Sequence, residues 1–326
     1  MRKLLKRVGI FIAAAAAIIV FLYFQNNALT VSSFQLSSAK LPQGLKDFTI
    51  VQLSDVHGKR FGDHQQRLVR KVENQQPNII VVTGDLIDSR RGGEAESLEL
   101  MAEIVKLAPV YYVTGNHEYA YARYPELEKK LLELGVHVLR NETESISVGS
   151  SNGTGTGSRA GSGAETGAVA GAGEIRLLGI DDPKFSSFAG HDAEAAEQNI
   201  QTAIEDFANI AGKEKAGAAT KAEAGKQSEE GLYTILLSHR PELFDVYVRE
   251  DIDLAFSGHA HGGQVRLPFI GGLVAPGQGL LPVYDAGQYV NGQTNMLVSR
   301  GLGNSVVPQR LFNRPNIVVV KLSAAS

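Results

Sequence analysis

The segment FTIVQLSDVHG, residues 48–58, indicates the class of fold. Its first seven residues form a short apolar run, which is typical of a strand buried on both faces. Runs of this kind recur along the chain, and segments with helix-like spacing lie between several of them. We predict strands at 48–54, 78–83, 110–114, 174–180, 232–237, 252–256, 296–299 and 316–322, and helices at 64–75, 94–107 and 125–134. Strands that alternate with helices predict a layered α/β fold.

The composition of the chain limits what it can bind. Its 326 residues suffice for one large domain or two smaller ones, and 43% are hydrophobic, so a sizeable core can form. The net charge of −3 argues against nucleic acid as a partner. Because the chain has no cysteine, a metal ion would have to be held by histidine, aspartate, asparagine or glutamate.

The N-terminus predicts a membrane anchor. Four basic residues precede an apolar run from Val8 to Phe24, which is just long enough to span a bilayer. Basic residues before a span keep its start in the cytoplasm. We therefore expect a single-pass protein of the cell membrane whose main domain is extracytoplasmic. The alternative is a secreted protein, released by cleavage of a signal peptide near Val31-Ser32-Ser33.

Two stretches interrupt the alternation of strands and helices. Residues 149–173 are rich in glycine, serine and alanine, and residues 211–231 have few bulky side chains and mixed charge. Such compositions predict flexible insertions. Because the polar motifs described next lie on both sides of them, we expect an anchor at 1–30 followed by one domain at 31–326.

Side chains able to bind metal follow five of the predicted strands. The motifs are LSDVHG at 53–58, TGDLID at 83–88, TGNHE at 114–118, LSHRP at 237–241 and SGHAHGGQ at 257–264. A lone histidine or Gly-Asp pair is usually structural, but open α/β sheets gather ligands at the carboxyl ends of their strands. Five strand ends that all carry side chains able to bind metal therefore favour one shared metal site. The candidate ligands are Asp55, His57, Asp85, Asn116, His239, His259 and His261.

Seven nitrogen and oxygen donors are more than one ion commonly takes from a protein. Two metals that share one bridging carboxylate would use them and leave positions open for water. Mixed imidazole and carboxylate ligation suits Mn, Zn, Fe or Co rather than Ca. Side chains two apart in a strand point the same way, so we expect Asp55 and His57 to face one ion together.

The ordered motifs DVH, GDLID, GNHE, SH and GHAHGG resemble those of the calcineurin-like metallophosphoesterases, most of all the bacterial membrane-associated branch with one N-terminal anchor. The resemblance extends to the closing segments RGLGNS at 300–305 and RLFNRP at 310–315. It implies a layered α/β/β/α sandwich that holds two divalent metal ions. It also implies that Asp85 bridges the metals, with Asp55, His57 and His261 on one of them and Asn116, His239 and His259 on the other.

The resemblance implies catalytic residues as well. His117 matches a histidine that lies beside the metals without binding them, and Asp88 matches a carboxylate that orients this histidine in part of the family. Ser89 stands where that part of the family often has arginine. The metals would lower the pKa of a bridging water, whose hydroxide attacks phosphorus while His117 protonates the leaving group. Glu118 could orient a ligand.

We therefore expect a dinuclear metal-dependent phosphoesterase, specifically a monomeric phosphodiesterase of cell-envelope phosphoesters such as a lipid head group or a wall polymer. A hydrolase of lipid-linked pyrophosphates is one alternative. A wall-tethered binding module with a structural metal site is another. His117 and Asp88 argue against the module, because a structural metal site has no use for an acid that does not bind metal.

Overall fold

The computed structural model describes residues 2–43, 45–148, 157–158, 173–186, 190–217, 231–304 and 307–325. Two β-sheets face each other in it, and helices cover the outer face of each sheet. The helices are α1 Arg2–Asn27, α2 Gln66–Glu73, α3 Glu94–Ile104, α4 Asn116–Tyr119, α5 Tyr124–Glu133, α6 Asp192–Gly217 and α7 Phe244–Arg249. The strands are β1 Thr30–Ser38, β2 Phe48–Leu53, β3 Ile79–Thr83, β4 Val110–Val113, β5 His137–Val138, β6 Glu142–Val148, β7 Gly157–Ser158, β8 Gly173–Gly179, β9 Tyr233–Leu237, β10 Leu254–Ser257, β11 Arg266–Leu267, β12 Gly271–Gly272, β13 Val274–Ala275, β14 Gly279–Leu280, β15 Gly287–Asn291, β16 Thr294–Val298 and β17 Asn316–Ala324.

The first sheet has the strand order β1-β17-β2-β3-β4-β5. Strands β2 to β5 are parallel, and β17 runs antiparallel to β2 and parallel to β1. Alternate residues of each central strand face opposite layers: Val51 packs towards the helices, whereas Ile50 packs towards the second sheet. Because both faces are covered, β2, β3 and β4 are buried along their whole length and are mostly apolar.

The second sheet has the order β15-β16-β10-β9-β8-β6-β7. Its central strands β8, β9, β10 and β16 are parallel, and β6 and β15 flank them in antiparallel pairing. Helices α6 and α7 cover its outer face through buried residues such as Ile200 and Tyr247. One core lies between the sheets and one lies beneath each helical layer. The predicted α/β/β/α sandwich is confirmed.

Helix α6 extends further than the composition of the chain predicted. It ends at Gly217, seven residues into the predicted insertion 211–231, because the alanine, glutamate and lysine of this stretch favour helix. Residues 218–230 lie outside the described part of the chain. So does the insertion 149–173, apart from β7 and Gly173.

Among the described residues, α1 is the one helix long and apolar enough to cross a membrane. Its 26 residues span about 39 Å, more than the roughly 30 Å hydrocarbon core of a bilayer.

The last turn of α1 is attached to the domain. The Asn26 side chain accepts the N–H of Arg310 at 2.7 Å and donates to the Pro308 carbonyl at 3.1 Å. The C-terminal end of α1 therefore has a defined position on the domain.

Candidate metal centre

The five polar motifs occupy the loops that follow β2, β3, β4, β9 and β10. They meet because β2, β3 and β4 are neighbours in one sheet, while β9 and β10 are neighbours in the sheet that faces it. Five of the candidate ligands have φ between 48° and 63°, the left-handed region that non-glycine residues rarely adopt: Asp55, His57, Asp85, His259 and His261. The expectation that Asp55 and His57 converge by alternation along a strand is wrong. Strand β2 ends at Leu53, and left-handed backbone turns both side chains into the site.

The first metal group consists of Asp55, His57, Asp85 and His261, whose ligand atoms all lie within 4.8 Å of one another. His261 Nε2 lies 3.1 Å from His57 Nε2 and 3.3 Å from Asp55 Oδ1. Burial lowers the pKa of His57 to about 4 and holds the pKa of His261 well below its ordinary value. Both imidazoles are therefore neutral near pH 7, which is the form that binds metal.

The second metal group consists of Asp85, His239 and His259, which are all buried. His239 Nε2 lies 3.3 Å from Asp85 Oδ2 and 3.1 Å from His259 Nδ1. The other ring nitrogen, His239 Nδ1, lies 2.8 Å from the Thr83 carbonyl, to which it donates, so Nε2 faces the group. Burial opposes the charge on His239, but the Asp85 carboxylate outweighs burial and raises the pKa of His239 to about 10.

Asp85 belongs to both groups. Its Oδ2 faces His57 Nε2 at 3.7 Å and His239 Nε2 at 3.3 Å. Its Oδ1 accepts the backbone N–H of His117 at 2.9 Å. Burial opposes ionisation of Asp85, but the His239 charge and hydrogen bond hold its pKa well below the ordinary value. The preceding residue, Gly84, has φ +83°, and a Cβ there would lie 2.7 Å from His239 Nδ1. A side chain at position 84 would therefore push the loops apart.

Unpaired polar atoms surround these groups. Within the described residues, the buried side-chain atoms at the site without a hydrogen-bond partner include Asp55 Oδ2, His57 Nδ1, Asn116 Oδ1, His259 Nε2 and His261 Nδ1. Each such atom costs about 1–3 kcal/mol when nothing pairs with it. Burial, with a smaller contribution from the Asp85 charge, outweighs the His239 charge and raises the pKa of Asp55 to about 6, so this carboxylate lacks sufficient positive charge around it. Divalent cations would bind the free carboxylate and amide oxygens of Asp55 and Asn116 and balance the negative charge, so the donor set fits a metal site.

His117 lies beside the first metal group, with its ring edge-on to that of His57 at 4.6 Å between centroids. Its Nδ1 accepts the backbone N–H of Ser89 at 3.0 Å, and the Ser89 hydroxyl lies 3.1 Å away. Because a backbone N–H can only donate, the proton of the neutral His117 ring is on Nε2. In this tautomer Nε2 is a hydrogen-bond donor and does not bind metal.

Asp88 contacts a different partner from the one predicted. We expected its carboxylate to orient His117, but Asp88 Oδ2 accepts from Arg91 Nε at 2.9 Å, and Oδ1 accepts the N–H groups of Arg90 and Arg91. The hydrogen bond to His117 comes from Ser89 instead. Asp88 thus stabilises the turn on which Ser89 stands, and it remains within 4.8 Å of His117.

The buried Glu118 carboxylate joins two of the loops. Its Oε1 accepts the N–H groups of Leu86 and Ile87 at 2.9 and 3.3 Å, and its Oε2 accepts those of Asp85 and Gly115 at 2.9 and 2.7 Å. Burial raises the pKa of Glu118 to about 7, although four groups that can only donate favour the carboxylate. Glu118 therefore positions Asp85 relative to the start of α4.

Residues 48–263 match the family model described as calcineurin-like phosphoesterase. The chain belongs to this family. The phosphoesterase is 24% identical to the metallophosphoesterase YkuE of Bacillus subtilis, an alignment that covers 93% of this chain and 89% of that one. It is 27% identical to the bovine (Bos taurus) transmembrane protein with metallophosphoesterase domain, over 90% of this chain and 57% of that one. Among solved structures, a dimetal phosphatase from Danio rerio aligns with a TM-score of 0.38 and 13% identity over 79% of this chain and 88% of that one.

Membership of the family, together with the Asp and His groups, makes the chain a metal-dependent phosphoester hydrolase with a divalent metal site. The two closing segments of the phosphoesterase, residues 300–305 and 310–315, form hydrogen bonds with the backbone of metal-ligand residues. Gly303 N donates to the Asp55 carbonyl at 2.6 Å, and Asn313 Nδ2 donates to the His261 carbonyl at 2.7 Å. Arg310, 1% exposed, donates to the Gly303 carbonyl at 3.0 Å. The sequence indicated, through the motifs RGLGNS and RLFNRP, that these segments belong to the family pattern. It did not indicate which metal ligands they contact.

Proposed function

We propose that the chain is a dinuclear phosphodiesterase that α1 anchors to the membrane and that acts on cell-envelope phosphoesters outside it. The observation that carries the two-metal proposal is the position of Asp85 Oδ2, 3.7 Å from His57 Nε2 and 3.3 Å from His239 Nε2. One carboxylate oxygen therefore faces both groups. Mn, Zn or Fe suits this donor set. Asp55, His57 and His261 would hold one ion, Asn116, His239 and His259 the other, and Asp85 both.

When bound, the metals would supply positive charge for the phosphoryl oxygens and an activated water. The chain itself supplies the hydrogen-bond donor. With Nδ1 occupied by the Ser89 N–H, half-buried His117 can donate from Nε2 to the leaving oxygen, where negative charge develops. Asp88 is a positioning residue in this mechanism, because its carboxylate accepts the N–H groups of the turn that holds Ser89.

The proposed location rests on the N-terminus. Helix α1 is long and apolar enough to span a bilayer, and four basic residues precede its apolar run. Positive charge before a span favours a cytoplasmic start and an extracytoplasmic domain. The bovine relative, whose name describes a transmembrane protein, supports membrane anchorage for this chain too. A domain outside the membrane would meet phosphoesters of the envelope rather than cytosolic nucleotides.

The test is hydrolysis of a chromogenic phosphodiester and its monoester counterpart by the full chain in detergent. The protein is stripped of metal and then assayed with Mn, Zn or Fe restored. We expect diester hydrolysis that depends on added metal and falls by about 10²–10⁴-fold in His117→Ala. The matched control is His64→Ala, because His64 is exposed and pairs only with Glu99, at 2.7 Å, among the described residues.

Three outcomes would contradict the proposal. Full turnover by the metal-stripped protein would exclude metal catalysis. Hydrolysis of the monoester alone would exclude a phosphodiesterase. Two bound ions without turnover of any ester would favour a binding module that uses the metals only for stability.

A further inference from the structure

The loops that follow the His261 motif expose a concentration of apolar side chains. The segment LPFIGGLVAPGQGLLPVY, residues 267–284, contains no charged residue. Its exposed large apolar residues are Leu267, Phe269, Ile270, Val274, Leu280, Leu281 and Val283, which we call the apolar rim. In the rest of the described chain, outside α1 and residues 307–312, such exposure is limited to Tyr119, Leu132 and Val290. A patch of this kind on a water-soluble surface indicates an interaction site.

The apolar rim is held in place by hydrogen bonds. Arg266 Nη1 and Asp285 Oδ2 close its base at 2.8 Å, and the same carboxylate oxygen accepts the N–H of Gly272 at 2.6 Å. The segment forms two short hairpins, β11–β12 and β13–β14, and the N–H of Leu281 donates to the Leu273 carbonyl at 2.8 Å, which extends the second hairpin by one residue pair. The apolar side chains are therefore displayed by a folded scaffold.

The apolar rim is also continuous with α1. The N–H of Arg266, at the start of the first hairpin, donates to the Leu311 carbonyl at 3.0 Å. The next residue, Phe312, is 52% exposed, and its ring packs against that of Phe21 of α1 at 5.9 Å between centroids. Phe21 lies six residues before Asn27, where α1 ends, which corresponds to about 9 Å along the helix axis. A span by α1 would therefore carry Phe312 to the depth of the membrane interface.

Two arginine side chains contact the same end of α1. The Arg314 guanidinium lies 5.1 Å from the centre of the Phe24 ring, and exposed Arg67 donates to the Asn27 carbonyl at 2.9 Å. Apolar side chains flanked by basic groups suit a bilayer surface with anionic head groups. A bilayer is favoured over a protein partner, because a protein that covered the apolar rim would have to fit beside the membrane that α1 spans.

We propose that the apolar rim and Phe312 form a second membrane contact, which enters the leaflet at the C-terminal end of α1. This inference rests on the proposed anchorage by α1. Gly263, two residues after His261, packs against Gly272 of the first hairpin so closely that a Cβ would lie 2.2 Å from its Cα. The metal centre is thereby attached to the membrane-contacting loops. The proposal narrows the substrate class to the phosphoesters of lipid head groups, which lie in the interface that these loops would contact.

The test uses the absence of tryptophan from the chain. Phe269→Trp, at a fully exposed side chain, and Leu280→Trp, 82% exposed, each place one reporter in a different hairpin of the full chain. The matched control is Leu132→Trp, 43% exposed on α5. In vesicles of phosphatidylcholine and phosphatidylglycerol, we expect blue-shifted emission and quenching by brominated acyl chains for both rim reporters, and neither effect for the control.

Flotation of the same vesicles separates the two levels of the proposal. If the chain floats but both rim reporters resemble the Leu132→Trp control, the second contact is refuted while anchorage by α1 stands. If the chain does not float, anchorage fails and the rim contact fails with it. Blue-shifted emission that brominated lipid does not quench would show that another protein, such as a second copy of this chain, covers the rim, and would also overturn the inference.

Discussion

Replacing Glu118 by glutamine should loosen the metal centre without removing any ligand. The carboxylate accepts four backbone N–H groups, those of Leu86 and Ile87 on Oε1 and those of Asp85 and Gly115 on Oε2. A glutamine amide has one oxygen acceptor, and its NH₂ group can only donate. Whichever way the amide turns, two of the four N–H groups lose their acceptor.

The magnitude follows from those two groups. A buried donor without an acceptor costs about 1–3 kcal/mol, so Glu118→Gln should reduce the free energy of unfolding by about 2–6 kcal/mol. In domains of 150–250 residues, 1 kcal/mol shifts the Tm by about 2–4 °C, and we therefore expect a fall of several degrees. Because one of the N–H groups belongs to Asp85, diester hydrolysis should also fall, by about 10–100-fold.

The assay is thermal melting of the detergent-solubilised chain, with and without chelator, followed by diester hydrolysis. The control is Glu73→Gln, because the Glu73 side chain is exposed on α2 and its replacement should change stability by no more than about 0.5 kcal/mol. A Tm for Glu118→Gln that equals that of the control would refute the role of this carboxylate in holding the loops.

Three further substitutions or conditions test other parts of the site. Asp85→Asn removes the charge shared by both metal groups, so elemental analysis should show fewer bound ions and hydrolysis should fall by more than about 100-fold; unchanged metal content would contradict bridging. Gly258→Ala would place a Cβ 2.0 Å from Ser54 Oγ and 2.5 Å from Asp55 Oδ2, so metal affinity measured by calorimetric titration should fall, and wild-type affinity would show that the loop can yield. In the metal-stripped protein, burial lowers the pKa of His57 from 6.5 to about 4, so the unfolded chain takes up the proton first as pH falls. Stability should then be lost between about pH 6.5 and 4, and the Tm of His57→Asn should depend less on pH across this window; equal pH dependence would contradict the assignment.

The strands that build the two sheets were predictable because each carries its own signal. Strands such as β2, β3 and β9 are short apolar runs buried on both faces, and this pattern is local. Strand β1, TVSSFQLSS, was not predicted. Its residues are small, polar or half-exposed, and it is a strand only because all nine pair in register with β17 at the other end of the chain.

The location of the metal centre was predictable for a similar reason. The motifs containing Asp55, Asp85 and Asn116 each follow a strand end, and parallel neighbouring strands bring their carboxyl ends to one edge. The contact between Ser89 and His117 was not predictable. Family resemblance pointed to Asp88, but the backbone of this turn directs the carboxylate to Arg91 and the Ser89 N–H to the ring.

The sequence by itself determined which residues stand at the strand ends and which of them can bind metal, because residue type and local pattern carry that information. Only the tertiary structure decided which side chains meet. The His57 and His261 nitrogens lie 3.1 Å apart although 204 residues separate them, and the second metal group joins Asp85 of the first sheet to His239 and His259 of the second. Those contacts depend on how the two sheets pack and on left-handed backbone at the ligands, and neither is encoded within a single motif.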